Sequence, residues 1–159
     1  MKPTFDFIGS EDKPALIAFS TPEWMETAKS ALDELGFKVH TAATHSDFLT
    51  RFNQVRYQLI LMEELFCANI PEENIALKTL QQMTAGQRRH ATTMLIGNSF
   101  QTLAPMEAFQ HSVHAVINSS ELFLLKQLVE KTVADNLAFY RSFREVQNRI
   151  LASGIRDIP

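Results

Sequence analysis

The sequence holds a single cysteine, Cys67, which excludes an internal disulfide. It has no apolar run of the roughly 18 residues that a membrane-spanning helix needs. Met1–Pro14 lacks the apolar centre of a secretory signal, so the expected location is the cytoplasm. There is no excess of positive charge either. Charged residues make up 21% of the chain and the formal net charge is -3, which gives no electrostatic basis for binding nucleic acid or an anionic membrane. Arg88, Arg89 and His90 form the one basic knot, which reads as a solvated loop. Internal repeats and low-complexity segments are absent. What remains is a chain of 159 residues, 45% hydrophobic, enough for one domain with a real core.

The core is announced by short apolar runs. Tyr57–Glu64, YQLILMEE, is nearly continuous in apolar residues and ends abruptly in two carboxylates. Such a run reads as a strand buried on both faces of a parallel sheet. Ligands of open α/β sheets bind just beyond the carboxyl ends of these strands, which places Glu63 and Glu64 where chemistry is expected. Ala15–Phe19, Lys38–Ala43, Ala91–Ile96 and Val113–Ile117 supply four further strands. Between them lie helical patterns. Thr21 and Pro22 open the first as cap and first residue, and Gly36 closes it. Thr44 or Ser46 caps the second, which carries Phe48, Leu49, Phe52 and Val55. Asn69–Pro71 opens a third with Ala76, Leu77, Leu80 and Met83 on one face, and a weaker helix near Pro105–His111 is expected to bury Met106 and Phe109. Asn118, Ser119 and Ser120 are each capable of capping the last helix. Alternating strands and helices predict a five-stranded parallel doubly wound sheet of flavodoxin-like order 2-1-3-4-5.

The segment ALIAFSTPEWMETAKSALDELGFKV followed by YQLILMEE resembles a response-regulator receiver domain, over roughly residues 14–135. The resemblance implies a phosphorylation pocket with an acidic pair after strand 1, an Asp nucleophile after strand 3, a hydroxyl after strand 4 and a lysine after strand 5. Here those positions fall on Phe19 and Ser20, Glu63, Gly97 and Asn118, and Ala115 stands in place of the switch aromatic on strand 5. A carboxylate attacks a phosphate only where cations offset the repulsion. Magnesium wants oxygen ligands, and Phe19 offers none. The resemblance therefore implies a pseudo-receiver, with no metal, no cofactor and no catalytic residue. Its alternatives are a small-molecule sensor using the vacated pocket and a receiver phosphorylated on Glu63.

Other constellations are read as structural. His111 and His114 lack further ligands, as do His40 and His45. Ser20 and Thr21 read as a helix cap, Cys67 as a partly buried thiol, and Gly97-Asn98-Ser99 as a plain turn. The final helix is different. From Glu121 to Ser153 no Gly or Pro interrupts it, so it would span about 50 Å, more than the roughly 35 Å of a compact domain of this size. Leu122, Leu125, Val129, Thr132, Asn136, Phe139, Phe143, Val146 and Ile150 form a heptad seam. The organisation expected is an arm over 1–13, a receiver-like domain over 14–135 and a helical extension over 136–159. Through Asn136, Phe139, Phe143, Val146 and Ile150 the extension is expected to pair as a homodimer, dock on a partner protein, or fold back at a hinge near Asn136.

Overall fold

The computed structural model describes residues 8–84 and 91–157, with the side chains of 154–157 left aside. The knot of Arg88, Arg89 and His90 lies outside these residues, as does most of the N-terminal arm. Five strands, β1 (Pro14–Ala18), β2 (Lys38–Thr41), β3 (Leu59–Glu63), β4 (Thr92–Gly97) and β5 (Ala115–Asn118), form one parallel sheet of order β2-β1-β3-β4-β5. The described helices are α1 (Pro22–Glu34), α2 (His45–Gln54), α3 (Ile75–Gln82), α4 (Pro105–Gln110) and α5 (Leu125–Asp157), with 3-10 turns at Pro71–Glu73 and Ser119–Leu124.

Because side chains alternate along a strand, each apolar run supplies both faces of the sheet. Ala15, Ile17, Phe19, Leu59, Leu61, Met94, Ile96, Ala115 and Ile117 face α1 and the first turns of α5. Leu16, Ala18, Ile60, Met62, Leu95 and Val116 face α2, α3 and α4. Phe19, just past β1, is 4% exposed and packs edge-on to Trp24, with ring centroids 6.5 Å apart.

Local chemistry explains the helix ends, and corrects several expectations. Gly36 has φ +82°, the left-handed conformation that ends α1. Thr44 accepts from Asp47 N–H while Asp47 accepts from Ala43 N–H, a reciprocal cap on α2. The helix after β3 starts at Ile75, later than Asn69–Pro71, because Asn74 is its cap: Oδ1 accepts from Leu77 N–H at 3.0 Å. Met106 and Phe109 are 66% and 78% exposed, since so short a helix as α4 turns only Ala108 inward. Glu121 is non-helical, so the last helix opens at Leu125 behind a 3-10 turn that Asn118 caps. Gly9 and Asp12 close a turn, and Lys13 Nζ donates to Leu35 O at 2.8 Å beside the Phe37 ring.

Replacing Phe19 by Asp would strand a charge among apolar neighbours. Phe19→Asp is expected to cost about 3 kcal/mol or more in a urea unfolding series; a neutral substitution would show that the ring is not part of the core.

Candidate functional site

The carboxyl ends of β1, β3, β4 and β5 bring the predicted positions together. Glu63 closes β3 on the same face as Leu59 and Leu61, beside the turn that leaves β1. It is 5% exposed. Ser20 N–H and Thr21 N–H both donate to Glu63 Oε2, the second at 2.7 Å, and Thr21 Oγ1 donates to Oε1 at 2.9 Å. The Thr21 side chain makes no cap on α1. The expectation that it would is corrected, because its hydroxyl is donated to Glu63 instead. The Glu63 carboxylate thus fastens the turn just before α1, reaching it from the neighbouring strand.

The next loop is held in the same way. Asn74 is fully buried, and its Nδ2 donates to Glu63 O and Glu64 O, each at 3.1 Å. Ser20 Oγ accepts from Cys67 N–H at 2.8 Å, which fastens that loop to the β1 turn. Cys67 itself is exposed and in the left-handed region, with φ 49°, and its thiol donates to Ala43 O at 3.1 Å. The expectation of a partly buried thiol is corrected accordingly.

Gly97 pairs with Asn118 across β4 and β5. A Cβ on Gly97 would stand 3.0 Å from Glu64 Oε1 and 3.0 Å from the Phe100 ring, so these two groups close the space a larger residue would need. Asn118 is a brace. Its Nδ2 donates to Phe100 O at 2.7 Å and Asn98 O at 3.3 Å, and its Oδ1 accepts from Ser120 N–H at 2.9 Å and Ser120 Oγ at 2.7 Å. Thr102 Oγ1 accepts from Asn118 N–H and donates to Glu121. Burial pushes the Glu64 carboxyl above the usual carboxylate range; His111 opposes this, Glu107 and Glu72 add to it, and a hydrogen bond with Ser99 opposes it.

A receiver fold implies a magnesium ion at this edge, and these residues do not fit one. Phe19 presents a ring, and the Glu63 oxygens face N–H and O–H donors that a cation would have to displace. Among the described residues no group of three or more His, Cys, Asp or Glu could hold a metal. His114 Nδ1 accepts from Thr93 N–H and His111 packs edge-on to Phe100, so the pair is structural. His40 Nδ1 lies 2.6 Å from the Tyr57 hydroxyl, and His45 Nε2 2.8 Å from Phe66 O. Asn74 was missed at the sequence level. Its signal was its place three residues before Leu77, at the head of the apolar face, where a cap belongs.

The second set of predicted residues lies on α5. Leu125, Val129 and Thr132 are buried on the domain, and Asn136 Nδ2 donates to Thr92 Oγ1 at 2.8 Å. Beyond them Phe139, Phe143, Val146 and Ile150 are 64%, 40%, 50% and 61% exposed. The helix runs unbroken through Asn136, so there is no hinge there and the extension does not fold back. Among the described residues no helix is long and apolar enough to cross a membrane.

No protein-family model matches the sequence, and no curated protein does. Solved structures match. A response regulator from Thermotoga maritima superposes with a TM-score of 0.60 at 13% identity, over 77% of this chain and 98% of its own. An orphan response regulator of H. pylori gives 0.57 at 11% identity, over 76% and 95%. A chain in which the trimeric coiled coil of yeast Spc42 is fused to another protein gives 0.63 at 17% identity, over 92% and 91%. This chain has the receiver fold.

Two outcomes follow. Glu63→Ala leaves the β1 turn amides without their acceptor and is expected to cost about 2 kcal/mol by urea unfolding; Glu63→Asp, a methylene shorter, should lose most of the same energy. Glu64 behaves oppositely. Its folded pKa is raised, so its stability contribution is complete below the ordinary carboxylate pKa and is lost as pH rises through the raised value. Glu64→Gln should therefore melt above the wild type at neutral pH, with the gap closing below roughly pH 4. A constant gap across that range would discard the assignment.

Proposed function

We propose that this chain is a receiver-fold signalling module that works by protein contact and carries no phosphoryl group. The observation that supports it most is the engagement of Glu63. To accept a phosphoryl group, a carboxylate oxygen must present a lone pair to phosphorus while cations screen both anions. Both Glu63 oxygens are instead taken up by Ser20 and Thr21 of the adjoining turn. The surrounding positions agree. Phe19 supplies no metal ligand, Gly97 no hydroxyl and Asn118 no charge, and the Asn118 amide is already spent on Asn98 and Phe100.

With the sheet edge closed, the partner is assigned on this reading to the apolar face of α5. Phe139, Phe143, Val146 and Ile150 form a strip that water covers at a cost. A sensor for a small ligand at the sheet edge has less support. Phe19 fills its side of the edge, and Gly97 lies under the Phe100 ring.

Acetyl phosphate with magnesium is the direct test. The intact mass should stay unchanged after incubation, and a stable gain mapping to Glu63 or Glu64 would overturn the proposal.

A further inference from the structure

We infer that the strip on α5 is covered by a second copy of this chain running antiparallel, with the end of each helix seated in a groove beside α4 of the other. This rests on the reading of α5 as a contact element and names its partner.

The direction follows from which way the strip faces. Phe139, Phe143, Val146 and Ile150 continue the three-four alternation of Leu125, Val129, Thr132 and Asn136, on one uninterrupted helix. A heptad seam on a straight helix drifts by only about 20° per repeat. The strip therefore still looks toward the side on which the domain lies, just past the edge where Asn136 meets Thr92. A parallel copy laid on it would carry its own residues 125–135, and its domain, into the volume of the first domain. An antiparallel copy sends its domain to the far end, and only its last turns come level with the turns of α5 that the first domain covers.

The sequence of the strip suits that arrangement. One register sets Phe139 against Ile150 of the second copy, Phe143 against Val146, and Asn136 against Ser153. The pairs are reciprocal, as a twofold interface requires. Apolar residues meet apolar residues throughout, and the seam's two polar side chains meet each other at the margin, where a polar pair fixes register. On the flanks Arg149 falls opposite Ser142 and Tyr140 opposite Gln147, so no arginine confronts another.

The groove is an independent observation that agrees. It has a volume of about 400 Å³, with Leu103, Pro105, Ala108 and Ala115 on one wall and Phe139 and Tyr140 on the other. Ala115 keeps it open, since a large residue there would fill it. Its lining on α5 runs from Lys131 to Tyr140. In the register above that stretch is level with the last described turns of the second copy, from Arg149 onward. Ile150 of the second copy, paired with Phe139, is then the side chain that enters.

Cysteine pairing tests direction and register together, in the full chain with Cys67→Ser. In the antiparallel pair the two Ser153 positions lie about 25 Å apart along the axis, as do Asn136 and Ser153 within one helix. Mild oxidation should therefore leave Ser153→Cys uncrosslinked, while Asn136→Cys with Ser153→Cys becomes a covalent dimer. Sedimentation at tens of micromolar should read a dimer for the wild type and a folded monomer for Ile150→Glu, with Val146→Glu as a second disrupting variant. Crosslinking of Ser153→Cys alone overturns the antiparallel pair, and a monomeric wild type overturns the second copy. A monomer that takes up no phosphoryl group leaves the contact reading standing, whereas a dimer that is phosphorylated discards that reading and keeps the pair.

Discussion

The carboxylate of Glu63 on the Ser20 and Thr21 amides, in the turn between β1 and α1, is the interaction on which the functional end of this molecule depends. A turn that leaves a buried strand must find acceptors for its N–H groups. Here the last side chain of β3 supplies them for the turn after β1. The same solution recurs along the edge. Asn74 ties the β3 carbonyls to the start of α3, and Asn118 ties the β4 loop to the turn before α5. Each loop is pinned by a side chain that bonds backbone on two sides, so the edge has few polar groups left with which to greet a ligand.

That economy separates fold from chemistry. The layers of the sheet require only that apolar residues alternate between two faces, and the strands meet this whatever stands at their ends. The chemistry of a receiver requires oxygen ligands, a hydroxyl and a cation at those ends. With a ring at Phe19, no side chain at Gly97 and a neutral amide at Asn118, the fold persists on hydrophobic terms alone, and the proposed loss of phosphoryl transfer costs it nothing.

The sheet order was readable because four of the five strands are dense apolar runs with turns near them, a signal that survives small errors at the ends. Side-chain partners were less readable. Thr21 looks like a cap in one dimension, since nothing local reveals that its hydroxyl is donated to a carboxylate 42 residues away. Asn74 was hidden by the more conspicuous proline at Pro71. Met106 and Phe109 misled because a helix as short as α4 exposes most of its circumference, so apolar character there does not imply burial. The seam of α5 was legible as a pattern. Which stretch of it the domain covers depends on where the sheet stops, and the Asn136–Thr92 bond marks that boundary.

The face of α5 also constrains how any signal could be carried on the proposed reading. Two arrangements of a module require a group whose state biases them, and phosphorylation would ordinarily be that group. Where the sheet edge is pinned by its own side chains, the bias has to enter through mass action at the strip, because a surface that binds only when a second chain is present responds to concentration. The groove beside α4 would sharpen that response. It lies against the buried turns of α5, so an Ile150 side chain seated there would join the helix of one copy to the core of the other. Affinity would then depend on Ala115 remaining small, which gives the residue standing at the switch-aromatic position a role in assembly.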